Sequence, residues 1–136
     1  MLTSNELVAF VATANAEAAM MFYRDRLGLR LVGESPYALE FEAGERLLRV
    51  TQVEEVAPRP FTVLGWKVSD IADEVLALAK RGIAFERYES LEQDENSIWT
   101  APDGARVAWF KDPDGNVLSL TQFPAPVISA PAAEAQ

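Results

Sequence analysis

Apolar and polar positions along the 136-residue chain spell out the same programme twice. Residues 7–12 form a short apolar run that predicts a strand. Asn15 then offers a helix N-cap, and Ala16, Ala19, Met20, Tyr23 and Leu27 recur on one face of a 3.6-residue period that Gly28 closes. A further strand is predicted over 29–33, ending at Ser35-Pro36. Residues 37–42 and 46–52 flank Ala43-Gly44-Glu45 and read as a hairpin. Pro58 and Pro60 mark residues 54–60 as a linker.

Beyond the linker the order returns. Residues 61–68 predict a strand, and Asp70 caps a helix carrying Ile71, Val75, Leu78 and Ala79 that stops at Gly82. Residues 83–88 read as a strand. A polar loop, 89–96, leads to Ile98-Trp99-Thr100 and a Pro102-Asp103-Gly104 turn, and strands over 105–111 and 116–123 are joined through Asp112-Pro113-Asp114-Gly115. Asn15 and Asp70 stand about 55 residues apart, a repeat on the scale of a whole folding unit. The pattern predicts an α+β fold of two βαβββ repeats, about 5–53 and 61–123, forming a curled mixed sheet around a central cleft. Residues 1–123 are then a single domain, and 124–136, rich in Ala and Pro without a period, are expected to be a disordered tail.

Composition narrows the chemistry. The chain has no cysteine and no histidine, which removes disulfides, thiolate and imidazole metal ligands, and Ser-His or Cys-His nucleophile pairs. Its net charge of −9 repels phosphate backbones, so no nucleic-acid partner is expected. No apolar run approaches the roughly 18 residues of a membrane span, and no basic, apolar, small-residue leader opens the chain, so a cytoplasmic location is expected.

Met21-Phe22-Tyr23-Arg24-Asp25 with Leu27-Gly28, followed by Phe110-Lys111-Asp112-Pro113-Asp114-Gly115-Asn116, in this order within a βαβββ repeat, resembles the vicinal oxygen chelate superfamily, which includes glyoxalase I, extradiol dioxygenases and bleomycin-resistance proteins. The resemblance implies a divalent ion held by one side chain from each of four cleft strands. In this chain those positions fall on Val8, Arg49, Val63 and Ser119. Two valines, a guanidinium and a hydroxyl do not suit a divalent cation, so no metal and no cofactor are expected. The resemblance also implies a homodimer.

A two-residue loop at Gly44-Glu45 sets Glu40 opposite Arg49 on the cleft face, while Phe41 and Leu48 turn the other way. The pair reads either as an anchor for a polar ligand, with Glu40 as a possible acid or base, or as a self-satisfied ion pair. The later turns set Trp109 opposite Ser119 and Trp99 opposite Val107 on the cleft side, and place Trp66 in the helix-facing core. With Phe10, Val8 and Val63, the two indoles either line a small-molecule site or fill it as core. The run Glu92-Gln93-Asp94-Glu95 lacks the spacing of a calcium loop and reads as a solvated acidic loop. The expected function is metal-independent binding of a small aromatic or amphipathic molecule, as in bleomycin-resistance-type proteins. The alternatives are a metal-free glyoxalase-like lyase or isomerase using Glu40 as general base, and a filled cleft serving protein interaction.

Overall fold

The computed structural model describes residues 1–125; the expected tail falls almost entirely outside them. After a short 3-10 turn, Leu2–Ser4, the chain forms β1 (Val8–Thr13), α1 (Ala16–Met20), β2 (Arg30–Glu34), β3 (Ala38–Ala43), β4 (Arg46–Gln52), β5 (Thr62–Lys67), α2 (Ile71–Lys80), β6 (Trp99–Thr100), β7 (Arg106–Lys111) and β8 (Val117–Gln122). Two four-stranded mixed sheets result, ordered β1-β4-β3-β2 and β5-β8-β7-β6. In each, the first strand pairs parallel to the last and the rest are antiparallel, so the sequence repeat is a structural one.

Each helix starts as its cap residue dictates. The Asn15 carboxamide oxygen accepts from the Ala18 N–H at 3.0 Å, and an Asp70 carboxylate oxygen accepts from the Asp73 N–H at 3.2 Å. The first helix does not stay α-helical: over Met21–Arg26 it widens into a π-helical turn, with the Leu27 N–H donating to the Phe22 carbonyl at 2.9 Å. The widening lets two successive large side chains turn inward. Phe22 reaches Phe110 of the second repeat at a centroid separation of 6.3 Å, and Tyr23 reaches Phe41 of the first at 5.9 Å. Both helices end on glycines with left-handed backbone, Gly28 at φ +79° and Gly82 at φ +91°. Arg26 donates to the Gly82 carbonyl, and Arg81 returns the favour to the Asp25 and Arg26 carbonyls, so each helix C-terminus is capped by the other's arginine.

One face of both sheets packs beneath the helices into a single core that includes Leu39, Phe41, Leu48, Val50, Phe110 and Leu118. Trp66 joins it, stacked on Phe110 at 6.4 Å, as its parity predicts. The Asp112–Asn116 turn fastens the repeats together. Buried Asp112 accepts from the Tyr23 hydroxyl at 2.6 Å and from the Asp114 and Asn116 N–H groups, while the Asn116 amide donates to the Ala12 carbonyl and Asp114 accepts from Thr13 and the Ala14 N–H. Burial, with the Asp112 carboxylate alongside, pushes the Tyr23 phenol far above its ordinary range and keeps it a donor.

The strand expected over 83–88 is corrected. Only Phe85 bridges to Phe110, with the Glu86 N–H donating to the Trp109 carbonyl at 2.8 Å, and Trp99 takes the other end of the same β7 edge opposite Val107. Between them side chains replace the ladder. Arg87 donates to the Gln93 and Asp94 carbonyls and to the Ser97 hydroxyl, and the Gln93 amide bridges Tyr88, Glu86 and Ser97. The acidic run is a solvated loop, as expected: Glu92, Asp94 and Glu95 are all exposed, and an Asp94 oxygen accepts from the Asn96 and Ile98 N–H groups.

Candidate functional site

The opposite face of the two sheets carries the residues that parity assigned to the cleft. Backbone register sets Gly33, Glu40, Arg49 and Phe10 side by side across β2, β3, β4 and β1. Across the seam between β1 and β5, it sets Gly65, Ser119 and Trp109 side by side on β5, β8 and β7. Val8, two positions along from Phe10, shares this face, and Val63, at the β5 irregularity between Thr62 and Leu64, lines a recess of it with Phe10.

The first repeat supplies charge. An Arg49 guanidinium N–H donates to the Glu40 carboxylate, with the two side chains 34% and 31% exposed. Glu40 can lie flat because its neighbour is glycine: a Cβ on Gly33 would stand 2.7 Å from the Glu40 Oε1. The second repeat supplies aromatic surface. Trp99 lies 6.0 Å from Trp109, and Tyr88 meets Trp109 edge-on at 5.5 Å. Desolvation, and then the nearby Glu86 carboxylate, raise the Tyr88 phenol above its ordinary pKa. Ser119 is buried at the floor with its hydroxyl over Gly65, where a Cβ would come within 2.7 Å of Oγ. That hydroxyl makes no hydrogen bond among the described residues.

These elements do not close into one hollow. Phe10, 60% exposed, and Val63, 41% exposed, line a recess of about 350 Å3 with Val53, Val56 and Arg59 of the linker. A second recess of about 350 Å3 lies beyond Arg59, between Pro58, Pro60, Tyr88, Lys111 and Val117. Neither contains the Glu40–Arg49 pair or the two indoles, which flank the recesses on either side. Tyr88, Arg59, Gly33 and Gly65 were not expected at the site. The alternation Ala84, Glu86, Tyr88 points to the first, and the Pro58-Arg59-Pro60 bracket to the second; nothing local marks the two glycines.

The four positions at which the resemblance implies metal ligands, Val8, Arg49, Val63 and Ser119, do share this face. Their donor set nonetheless offers a divalent ion a single neutral hydroxyl and a repelling guanidinium. Among the described residues no three Asp, Glu, His or Cys side chains gather where they could hold a metal. This chain's residues do not fit such an ion.

Architecture and site together define a paired-βαβββ protein with a polar and aromatic open face. The glyoxalase/bleomycin resistance protein/dioxygenase superfamily model matches residues 6–120, and the chain belongs to that superfamily. Among solved structures it is similar to TnmS3, an antibiotic binding protein from Streptomyces sp. CB03234, with 24% identity, 91% of this chain and 99% of that one covered, and a TM-score of 0.69. A superfamily member from Sphaerobacter thermophilus is similar at 20% identity, covering 90% and 99%, with a TM-score of 0.69. The lactoylglutathione lyase of Agrobacterium tumefaciens is similar at 23% identity, covering 88% and 93%, with a TM-score of 0.62. At these identities the likeness is one of fold. No curated protein matches the chain.

Proposed function

We propose that the uncovered face binds a small aromatic or amphipathic organic molecule without the help of a metal. The observation that carries this reading is the content of that face. Trp109, Trp99 and Tyr88 present half-buried rings beside the unpartnered Ser119 hydroxyl, and Phe10 and Val63 border an open recess. An antibiotic binding protein among the relatives of like fold is consistent with it. Glu40 serves in this reading as half of a polar anchor rather than as a free base, because Arg49 already occupies its carboxylate. The exposed Leu7 and Phe61, together with Phe10 on the open face, favour a second copy of the chain packing against this one as a homodimer.

Intrinsic fluorescence tests the reading. In a Trp66→Phe variant only Trp99 and Trp109 report. Titration with N-phenyl-1-naphthylamine is expected to quench them saturably, and Glu40→Gln is expected to leave that response largely intact. A flat titration would contradict the proposal, and turnover of any bound compound that Glu40→Gln abolishes would favour the lyase alternative.

A further inference from the structure

We propose that the guest of this face is an amphipathic acid, its anionic group held by Arg59 and Lys111 beneath the linker. The inference rests on the binding reading above and narrows it to a ligand class. Glu40 and Arg49 neutralise one another, so the cation that parity first offers to a ligand is already engaged. The linker presents a different one. Pro58 fixes its own backbone and Pro60 restricts Arg59 to extended conformations, so the intervening guanidinium stands on a stiff strap. The strap is seated: Pro58 packs on Gly115, where a Cβ would come within 3.2 Å of the proline ring.

Arg59 is exposed and forms neither an ion pair nor a side-chain hydrogen bond among the described residues. In the recess between the strap and β7–β8, Arg59 and Lys111 are the charged lining residues, and no carboxylate joins them. In a chain of net charge −9 that is a local reversal of sign. Lys111 keeps only a loose contact, 3.8 Å, with Glu86, and the Tyr88 phenol adds a neutral donor to the same wall. On the other side of Arg59 the walls are apolar, with Phe10 and Val63 foremost; Glu55 is the one acid there and does not pair with Arg59. A molecule with a carboxylate, sulfonate or phosphate at one end and an aromatic body at the other matches the two recesses joined at Arg59.

Two fluorescent probes separate the contributions: 1-anilinonaphthalene-8-sulfonate, which carries the acid, and neutral N-phenyl-1-naphthylamine, which has the same ring system without it. Arg59→Gln is expected to weaken the sulfonate about tenfold while moving the neutral probe less than about twofold, and Arg59→Lys is expected to recover most of the loss. Equal affinities of wild type and Arg59→Gln for the sulfonate, or a parallel loss of both probes, would overturn the acid-binding inference and leave the binding reading standing. Failure of wild type to bind either probe would overturn both.

Discussion

Trp109 and Phe110 are neighbours on β7, yet they belong to different regimes. Phe110 is wholly buried, touching Phe22, Trp66 and Phe85 under the helices. Trp109 faces the other way, half-buried, against two rings that themselves reach the surface. The covered face is closed by its own chain. The uncovered face holds comparable aromatic surface with only the linker crossing it among the described residues. Exposed aromatic clusters beside polar groups are costly to solvate and mark binding surfaces, so the contrast locates function by what the fold leaves uncovered.

The two faces should respond differently to deletion. Phe110→Ala removes a ring at the junction of both repeats and is expected to cost about 3–5 kcal/mol in denaturant unfolding. A cost below about 1 kcal/mol would mean that the shared core is not closed there. Tyr23→Phe leaves the ring and removes only the bond to Asp112, for about 1–3 kcal/mol at neutral pH. The sign with pH follows from the raised phenol. The folded state keeps this proton more tightly than the unfolded one, so the wild-type contribution is complete below pH ~10 and declines as the pH rises beyond it. The stability gap between wild type and Tyr23→Phe should therefore narrow above pH ~10; a gap that widens would contradict the assignment. Trp109→Ala is expected to cost least, about 1–2 kcal/mol, because the site is already partly wet. It should nonetheless remove the fluorescence response to N-phenyl-1-naphthylamine.

Much of this was legible in the chain because turn lengths fix register and register fixes face. The Gly44-Glu45 loop placed Glu40 opposite Arg49, and the later turns placed Trp109 opposite Ser119 and Trp99 opposite Val107, as found. The strand over 83–88 misled because its alternation is met as well by a segment that touches β7 at one bridge, and the Arg87 and Gln93 bonds that hold it elsewhere leave no local pattern. The π-helical turn was invisible for a related reason: it answers to Phe41 and Phe110, both distant in sequence. The glycines beneath Glu40 and Ser119 are likewise defined by what lies across the sheet. Division of the open face into two recesses depends on where the linker crosses, which its prolines announce only as stiffness.

The most direct measurement is an amide chemical-shift titration of chelator-treated protein with N-phenyl-1-naphthylamine. Perturbations are expected to concentrate at Phe10, Val63, Tyr88, Trp109 and Ser119, with no requirement for added divalent ions. Shifts gathered instead about Leu27, Trp66 and Leu78 in the helix-side cavity, or shifts that arise only after a metal is supplied, would contradict the claim that the open face binds its guest unaided.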